Sequence, residues 1–124
     1  NATFTGGSIN GTTVGATARA TGNFSTMTAT SVVEDSSIVY KENVNPITDA
    51  LESILQLSGV TYDRKDGSTQ NEAGLIAEDV NKILPNLVAK NSDGNPDGIN
   101  YTKLSAYLIE AVKTLKLEIE QLKR

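Results

Sequence analysis

The sequence predicts an α+β chain: a small mixed domain of short β-strands and helices that ends in a long coiled-coil-like helix, preceded by a β-rich segment intertwined with copies of itself. Three observations carry this reading. Composition changes abruptly across Glu34-Asp35-Ser36-Ser37-Ile38-Val39-Tyr40-Lys41-Glu42-Asn43, from a block rich in Thr, Gly, Ala and Ser to an ordinary charged globular sequence. Beyond that seam, short apolar runs bounded by Gly, Asn, Asp and Pro alternate with stretches whose apolar residues recur at helical spacing. Near the C-terminus, Leu108, Val112, Leu115, Ile119 and Leu122 follow one another at intervals of four, three, four and three. The expected division is 1–35 and 36–124.

In the first block apolar residues stand singly between small polar ones, and the one basic residue before the seam is Arg19. Such a chain is too thin in apolar side chains for a private core. Threonine favours extended backbone and the repeated glycines mark turns or close backbone approaches. We read strands completed by identical neighbours, with Ile9, Val14, Phe24 and Met27 turned inward once several copies wind together. The run Thr26 to Val33 continues as strand or stalk, whose unpaired backbone edge calls for another chain to cover it. The pattern is already running at Asn1, so the block is expected to be the end of something longer.

After the seam, Asn45-Pro46 has the chemistry of a helix start, a side-chain acceptor at the cap and proline at the first helical position. Ile47, Leu51, Ile54 and Leu55 then share a face, predicting a helix of about three turns that closes after Leu57. Gly59 to Asp63 reads as a strand running into the turn Lys65-Asp66-Gly67-Ser68, with Glu72 to Ile76 returning beside it. Gly74 weakens that strand unless something packs closely against it. Ala77 to Leu84 is a short helix with Ile76, Val80, Ile83 and Leu84 on its apolar face, stopped by Pro85. Leu87 to Lys90 and Gly98 to Tyr101 are short strands around an Asn91 to Asp97 tip. In the last helix, placing Val112 and Ile119 at a puts Leu108, Leu115 and Leu122 at d, with Glu118 at g and Lys123 at the following e. The series extends back through Ser105 to Tyr101, and the charged final turns point to a projecting helix that self-associates. β-branched a with leucine d leans towards a dimer, but two heptads are too few to set the number of strands.

Composition removes whole classes of chemistry. The 124 residues contain no Cys and no His. That excludes thiol catalysis, disulfides, His-based triads and almost every zinc geometry. The oxygen-rich run Asp93 to Gly98 lacks the spacing and terminal Glu of an EF-hand loop and reads as a turn, so no metal and no cofactor is expected. A formal charge of −4 without a basic stripe argues against nucleic acid. No apolar run approaches the ~20 residues that span a bilayer, so no membrane partner is expected.

A hydroxyl and an amine sit at the seam. Without His, a nucleophilic Ser36 needs Lys, Asp, Glu or a terminal amine as base. Lys41 qualifies once burial or a neighbouring cation lowers its pKa. The two are five residues apart, which in a strand puts them on opposite faces, so a turn between them is required.

Several stretches together resemble one family: Ser36-Ser37-Ile38-Val39-Tyr40-Lys41-Glu42-Asn43 with Pro46-Ile47, Gly59-Val60-Thr61-Tyr62, Gly74-Leu75-Ile76-Ala77-Glu78-Asp79-Val80, Leu84-Pro85-Asn86-Leu87-Val88, and Ile99 to Leu104 leading into Leu108 to Lys113. In this order they resemble peptidase S74, the C-terminal intramolecular chaperone and auto-processing domain of phage tailspikes and tail fibres, over about residues 36 to 124. The block before it is similar to the end of a trimeric fibre stalk. The resemblance implies a homotrimer that brings three stalks of the same polypeptide into register and then cuts itself off. By the same resemblance Ser36 is the nucleophile, Lys41 the general base, and the scissile bond joins Asp35 to Ser36. It further implies a virion tail-fibre or tailspike precursor folded in the host cytoplasm, with the cleaved domain released. Where the family pattern reads Ser-Asp-x-Arg-x-Lys, this chain has Ser37 and Val39, and Val39 removes a cation that would lower the pKa of Lys41. The alternatives are a non-cleaving trimerisation cap that stays as the fibre tip, and a host-receptor-binding tip using the loops Arg64 to Asn71 and Asn91 to Asp97.

Overall fold

The computed structural model describes residues 3–124, in two compact units, 1–41 and 42–124. In the first unit the described residues up to Ser37 form no strand or helix, and Phe4, Ile9, Val14, Phe24 and Met27 are all exposed. Within one chain the expected strands are absent, because isolated apolar side chains bury too little surface to offset the entropy of ordering the backbone. The contact boundary follows Lys41, so the turn from Ser36 to Lys41 groups with the first unit.

The second unit is a small α+β arrangement built on its last helix. Its elements are α1 (Ala50–Leu55), β1 (Val60–Tyr62), β2 (Glu72–Gly74), α2 (Ala77–Ile83), β3 (Val88–Lys90), β4 (Pro96–Ile99) and α3 (Leu104–Leu122). The strands form two separate antiparallel pairs, β1 with β2 and β3 with β4. Val60 faces Gly74 and Tyr62 faces Glu72 in the first pair, and Val88 faces Ile99 in the second.

Two apolar clusters hold this unit. Ala50, Leu51 and Ala111 are buried together, with Ile47, Ile54 and Tyr107 packed on them. Val80, Leu84 and Leu87 form the other cluster, under Leu57, Leu75, Ile83, Val88, Ile99, Leu104 and again Tyr107. Tyr107 therefore joins the two, and its hydroxyl accepts a hydrogen bond from Asn86 Nδ2 at 2.8 Å. Val80 sits at the centre of the α2 face at 1% exposure, as its helical spacing requires.

Four expectations are corrected. The first helix does not start at Asn45-Pro46 but at Ala50, after Asp49 in the left-handed region at φ 57°. That residue redirects the chain just ahead of the helix, so 46–48 cannot be its first turn, and the Asn45 side chain bonds the Asn43 carbonyl instead. The helix is correspondingly short, and Leu55 at its end is 74% exposed while Ala50 takes the buried place. Pro85 does stop α2, yet it also opens a 3-10 turn, Pro85–Leu87, which buries Leu87 and removes it from β3. The strand expected at Gly98 to Tyr101 lies earlier, at Pro96–Ile99, with an irregularity between Ala89 and Lys90 that accommodates a proline at a strand end. Tyr101–Lys103 is a 3-10 turn leading into α3, so Tyr101 is not on the helix.

Gly74 has the close packing that its place in a strand demands. A Cβ there would lie 2.8 Å from the Tyr101 hydroxyl and 3.0 Å from the Tyr62 hydroxyl. Both hydroxyls are held, Tyr62 donating to Glu72 at 3.0 Å and Tyr101 accepting from the Leu75 N–H at 2.9 Å. Gly74→Ala is expected to destabilise the second unit by about 1–3 kcal/mol through overpacking. Gly59→Ala, where a Cβ meets nothing within 4 Å, should be neutral or slightly stabilising. Urea midpoints of the two variants beside the parent check this.

Candidate functional site

The bend that the Ser36 to Lys41 spacing requires is a single 3-10 turn, Ile38–Tyr40. Ser37 caps it: its backbone is extended at φ −65° and ψ 146°, and its Oγ accepts the Val39 N–H at 3.3 Å. The Tyr40 N–H bonds the Ser37 carbonyl at 3.1 Å and the Lys41 N–H bonds the Ile38 carbonyl at 3.0 Å. Serine suits this position because its short side chain satisfies a donor that the first turn leaves free. The turn carries Lys41 back onto the face of Ser36, and Lys41 Nζ donates to Ser36 Oγ at 2.8 Å. The structure thus brings the serine and the lysine together.

Their surroundings in one chain are open. Ser36 and Lys41 are exposed, and the apolar side chains of the turn, Ile38, Val39 and Tyr40, are 67%, 77% and 73% exposed. Immediately before the serine, Asp35 forms an ion pair with Arg19. A hydroxyl in hydrogen-bond contact with an amine can give up its proton to that amine once the amine is neutral, which is the elementary requirement of a serine nucleophile without histidine.

On α3 the row Leu108, Val112, Leu115, Ile119 and Leu122 is exposed, from 43% at Leu115 to 85% at Leu122. Leu104, Tyr107 and Ala111 supply the face turned to the second unit's own core. The heptad row runs beside that face rather than on it. Around Leu108 and Val112, with Ser105, Ile109 and Lys113, it forms an apolar groove of about 480 Å³.

Sequence reasoning missed two features. One is the pair of Arg19 with Asp35, for which the sole signal was the isolation of a single arginine in a neutral block. The other is a polar cluster on the β1–β2 hairpin, legible only once the register sets Tyr62 opposite Glu72. Glu72 there accepts hydrogen bonds from Arg64 Nη2 at 3.1 Å and Nε at 3.2 Å, from Thr69 at 2.6 Å and from Tyr62 at 3.0 Å. The Arg64 guanidinium also lies over the Tyr62 ring, 5.7 Å from its centroid. These donors, Arg64 first and then Thr69 and Tyr62, hold the Glu72 carboxyl down at about 2. The cluster borders a cleft of about 320 Å³ reaching Glu78, Asp97 and Tyr101. Among the described residues no three His, Cys, Asp or Glu side chains gather to hold a metal ion. The Asn91 to Asp97 tip is closed by its own bonds, Asn91 Oδ1 accepting from Asp93 and Asn95 N–H at 3.0 and 3.1 Å. No helix among the described residues is long and apolar enough to cross a membrane.

The capped turn with its serine and lysine precedes a small α+β unit on a long helix. Residues 36–89 match the Peptidase_S74 family, chaperone of endosialidase, and this stretch of the chain is a domain of that family. It is similar to Long tail fiber protein Gp37 of Enterobacteria phage K3, with 31% identity over 107 residues, 81% of this chain and 9% of that protein. The protein of the same name from Enterobacteria phage T2 is also 31% identical over 107 residues, 8% of its length, and that of Enterobacteria phage M1 is 37% identical over 81 residues, 32% of its length. The chain therefore spans less than a tenth of the K3 and T2 proteins.

The hairpin cluster has a pH signature. A Glu whose folded-state pKa is depressed adds stability above its unfolded pKa, and loses it as pH falls through the folded value. For Glu72 that window runs from the ordinary 4.5 down to about 2. Thermal melts of the parent should weaken across this range, and Glu72→Gln should show a flatter acid arm with a lower melting temperature at pH 7.

Proposed function

We propose that residues 36–124 act as a trimerising intramolecular chaperone for a β-rich tail-fibre stalk of which the first block is the end, and that the chain then cuts itself between Asp35 and Ser36. The observation that carries this is the 2.8 Å contact of Lys41 Nζ with Ser36 Oγ across the turn. The similarity to long tail fibre proteins supports the setting, a component of a virion tail. The exposed row on α3 supports association of copies, since a helix leaving five large apolar residues open on one stripe gains most by pairing them.

The reaction is an N-to-O acyl shift followed by hydrolysis. Ser36 Oγ attacks the Asp35 carbonyl carbon while its proton passes to the neutral Lys41 amine. The tetrahedral oxyanion collapses, the Asp35–Ser36 C–N bond breaks, and Lys41 returns the proton to the departing Ser36 nitrogen. Water then attacks the ester, releasing Asp35 with a new carboxylate and Ser36 with its hydroxyl restored and a free amine. One water is consumed and no other reactant is needed.

In the single chain, Lys41 Nζ and Ser36 Oγ are already in hydrogen-bond contact, with the lysine as donor. General-base action needs the same contact with the proton running the other way. Covering Ile38, Val39 and Tyr40 with neighbouring copies lowers the local dielectric, and burial favours the neutral amine of a lysine. Assembly is thereby the switch: the chain stays whole until the trimer has formed. The second reading, a cap that assembles and is not cut, is favoured by Ser37 and Val39 standing in a pattern that otherwise has Asp and Arg.

Intact-mass measurement after refolding separates the readings. We expect two fragments that meet between Asp35 and Ser36, a full-length product from Ser36→Ala, and cleavage slowed at least about 100-fold in Lys41→Ala. A wild-type trimer that remains whole sinks the cleavage half and leaves the cap. Leu115→Asp is expected to give monomers in sedimentation at micromolar concentration and to block cleavage; efficient cutting by a monomeric variant would refute assembly as the switch.

A further inference from the structure

We propose that Arg19 is a positioning residue for the cut, its guanidinium neutralising the Asp35 carboxylate beside the carbonyl that Ser36 attacks; this rests on the processing reading above. Covalent geometry places the Asp35 carboxylate within roughly 4 to 5 Å of its own carbonyl oxygen. When Ser36 adds to that carbonyl, the oxygen becomes an anion, and the carboxylate opposes it at short range. A cation on the carboxylate removes this opposition. Arg19 provides it, pairing with Asp35 Oδ2 from 16 residues upstream.

Two further observations support the assignment. Arg19 is the one basic residue before Lys41, so no other side chain of the first block can supply the charge. Its pair is also open to solvent, the side chains being 79% and 55% exposed. An ion pair so exposed contributes little to folding stability. Its removal is therefore expected to leave folding stability nearly unchanged, which lets rate and stability be separated by experiment. Arginine suits the task because its charge persists at every working pH and its planar guanidinium matches the geometry of a carboxylate.

The test is a rate comparison during refolding of the full chain, with trimer formation followed by sedimentation. Arg19→Gln is expected to assemble normally and to cut about fivefold more slowly, while Arg19→Lys stays within about twofold of the parent. Asp35→Asn removes the opposing charge, so Arg19→Gln/Asp35→Asn should cut as fast as Asp35→Asn alone. A purely structural role for the pair predicts the reverse, with the double variant no faster than Arg19→Gln. Full-rate cutting by Arg19→Gln, or a fivefold gap between Asp35→Asn and the double variant, overturns the inference. If Arg19→Gln assembles poorly, rates are taken per assembled trimer, and a double variant that cuts faster than Arg19→Gln supports the inference while an equal rate overturns it. An uncut parent overturns the processing reading and this inference together, whereas a cut parent with an indifferent Arg19 overturns this inference alone.

Discussion

Tyr107 is the side chain on which the second unit depends. It packs on Ala50, Leu51 and Ala111 on one side and on Val80, Leu84 and Leu87 on the other, and Asn86 satisfies its hydroxyl. Both clusters are small, and two of the six buried apolar residues are alanines. Since stabilisation scales with apolar area removed from water, a core of this size is marginal. Much of the second unit's remaining apolar surface lies on the outside of α3, in the row from Leu108 to Leu122. On our reading, association of copies along that row supplies the stability that the small core lacks.

The seam works under the opposite constraint. Its turn is made from local terms alone: a serine cap, two short backbone bonds and the reach of one lysine. The contact of Lys41 with Ser36 therefore forms in a single chain, before any core covers it. What the single chain withholds is desolvation, and on our reading that is what the neighbours contribute. Preformed geometry with deferred burial would, on that same reading, separate the positioning of the two groups from their activation.

The hairpin cluster has a different role. Glu72 gathers Arg64, Thr69 and Tyr62 into one network, while Gly74 leaves room for the Tyr62 and Tyr101 hydroxyls. The arrangement ties the Arg64 to Asn71 loop back to its own strands, with Asp63 accepting the Asn71 N–H at 2.9 Å. A strand pair this short has little cross-strand packing, so a charge-assisted network does the holding.

Much of this was legible in the residues themselves. The helical spacing of Val80, Ile83 and Leu84, the two hairpins, the long terminal helix, and the pairing of a hydroxyl with an amine at the seam all follow from local periodicity, turn chemistry and a colinear family resemblance. The errors came where local rules compete. Asn45-Pro46 satisfies every requirement of a helix start, yet Asp49 in the left-handed region moved the start to Ala50, and Tyr101 left the heptad row because its hydroxyl bonds the Leu75 backbone. The sequence by itself determined which residues are apolar, where the chain turns and which chemistry is possible, because these depend on side-chain type and near neighbours. Only the tertiary structure decided which side of α3 is buried, that Gly74 is hemmed in by two tyrosines, and that Arg19 meets Asp35, because each depends on groups distant in the chain arriving at one point in space.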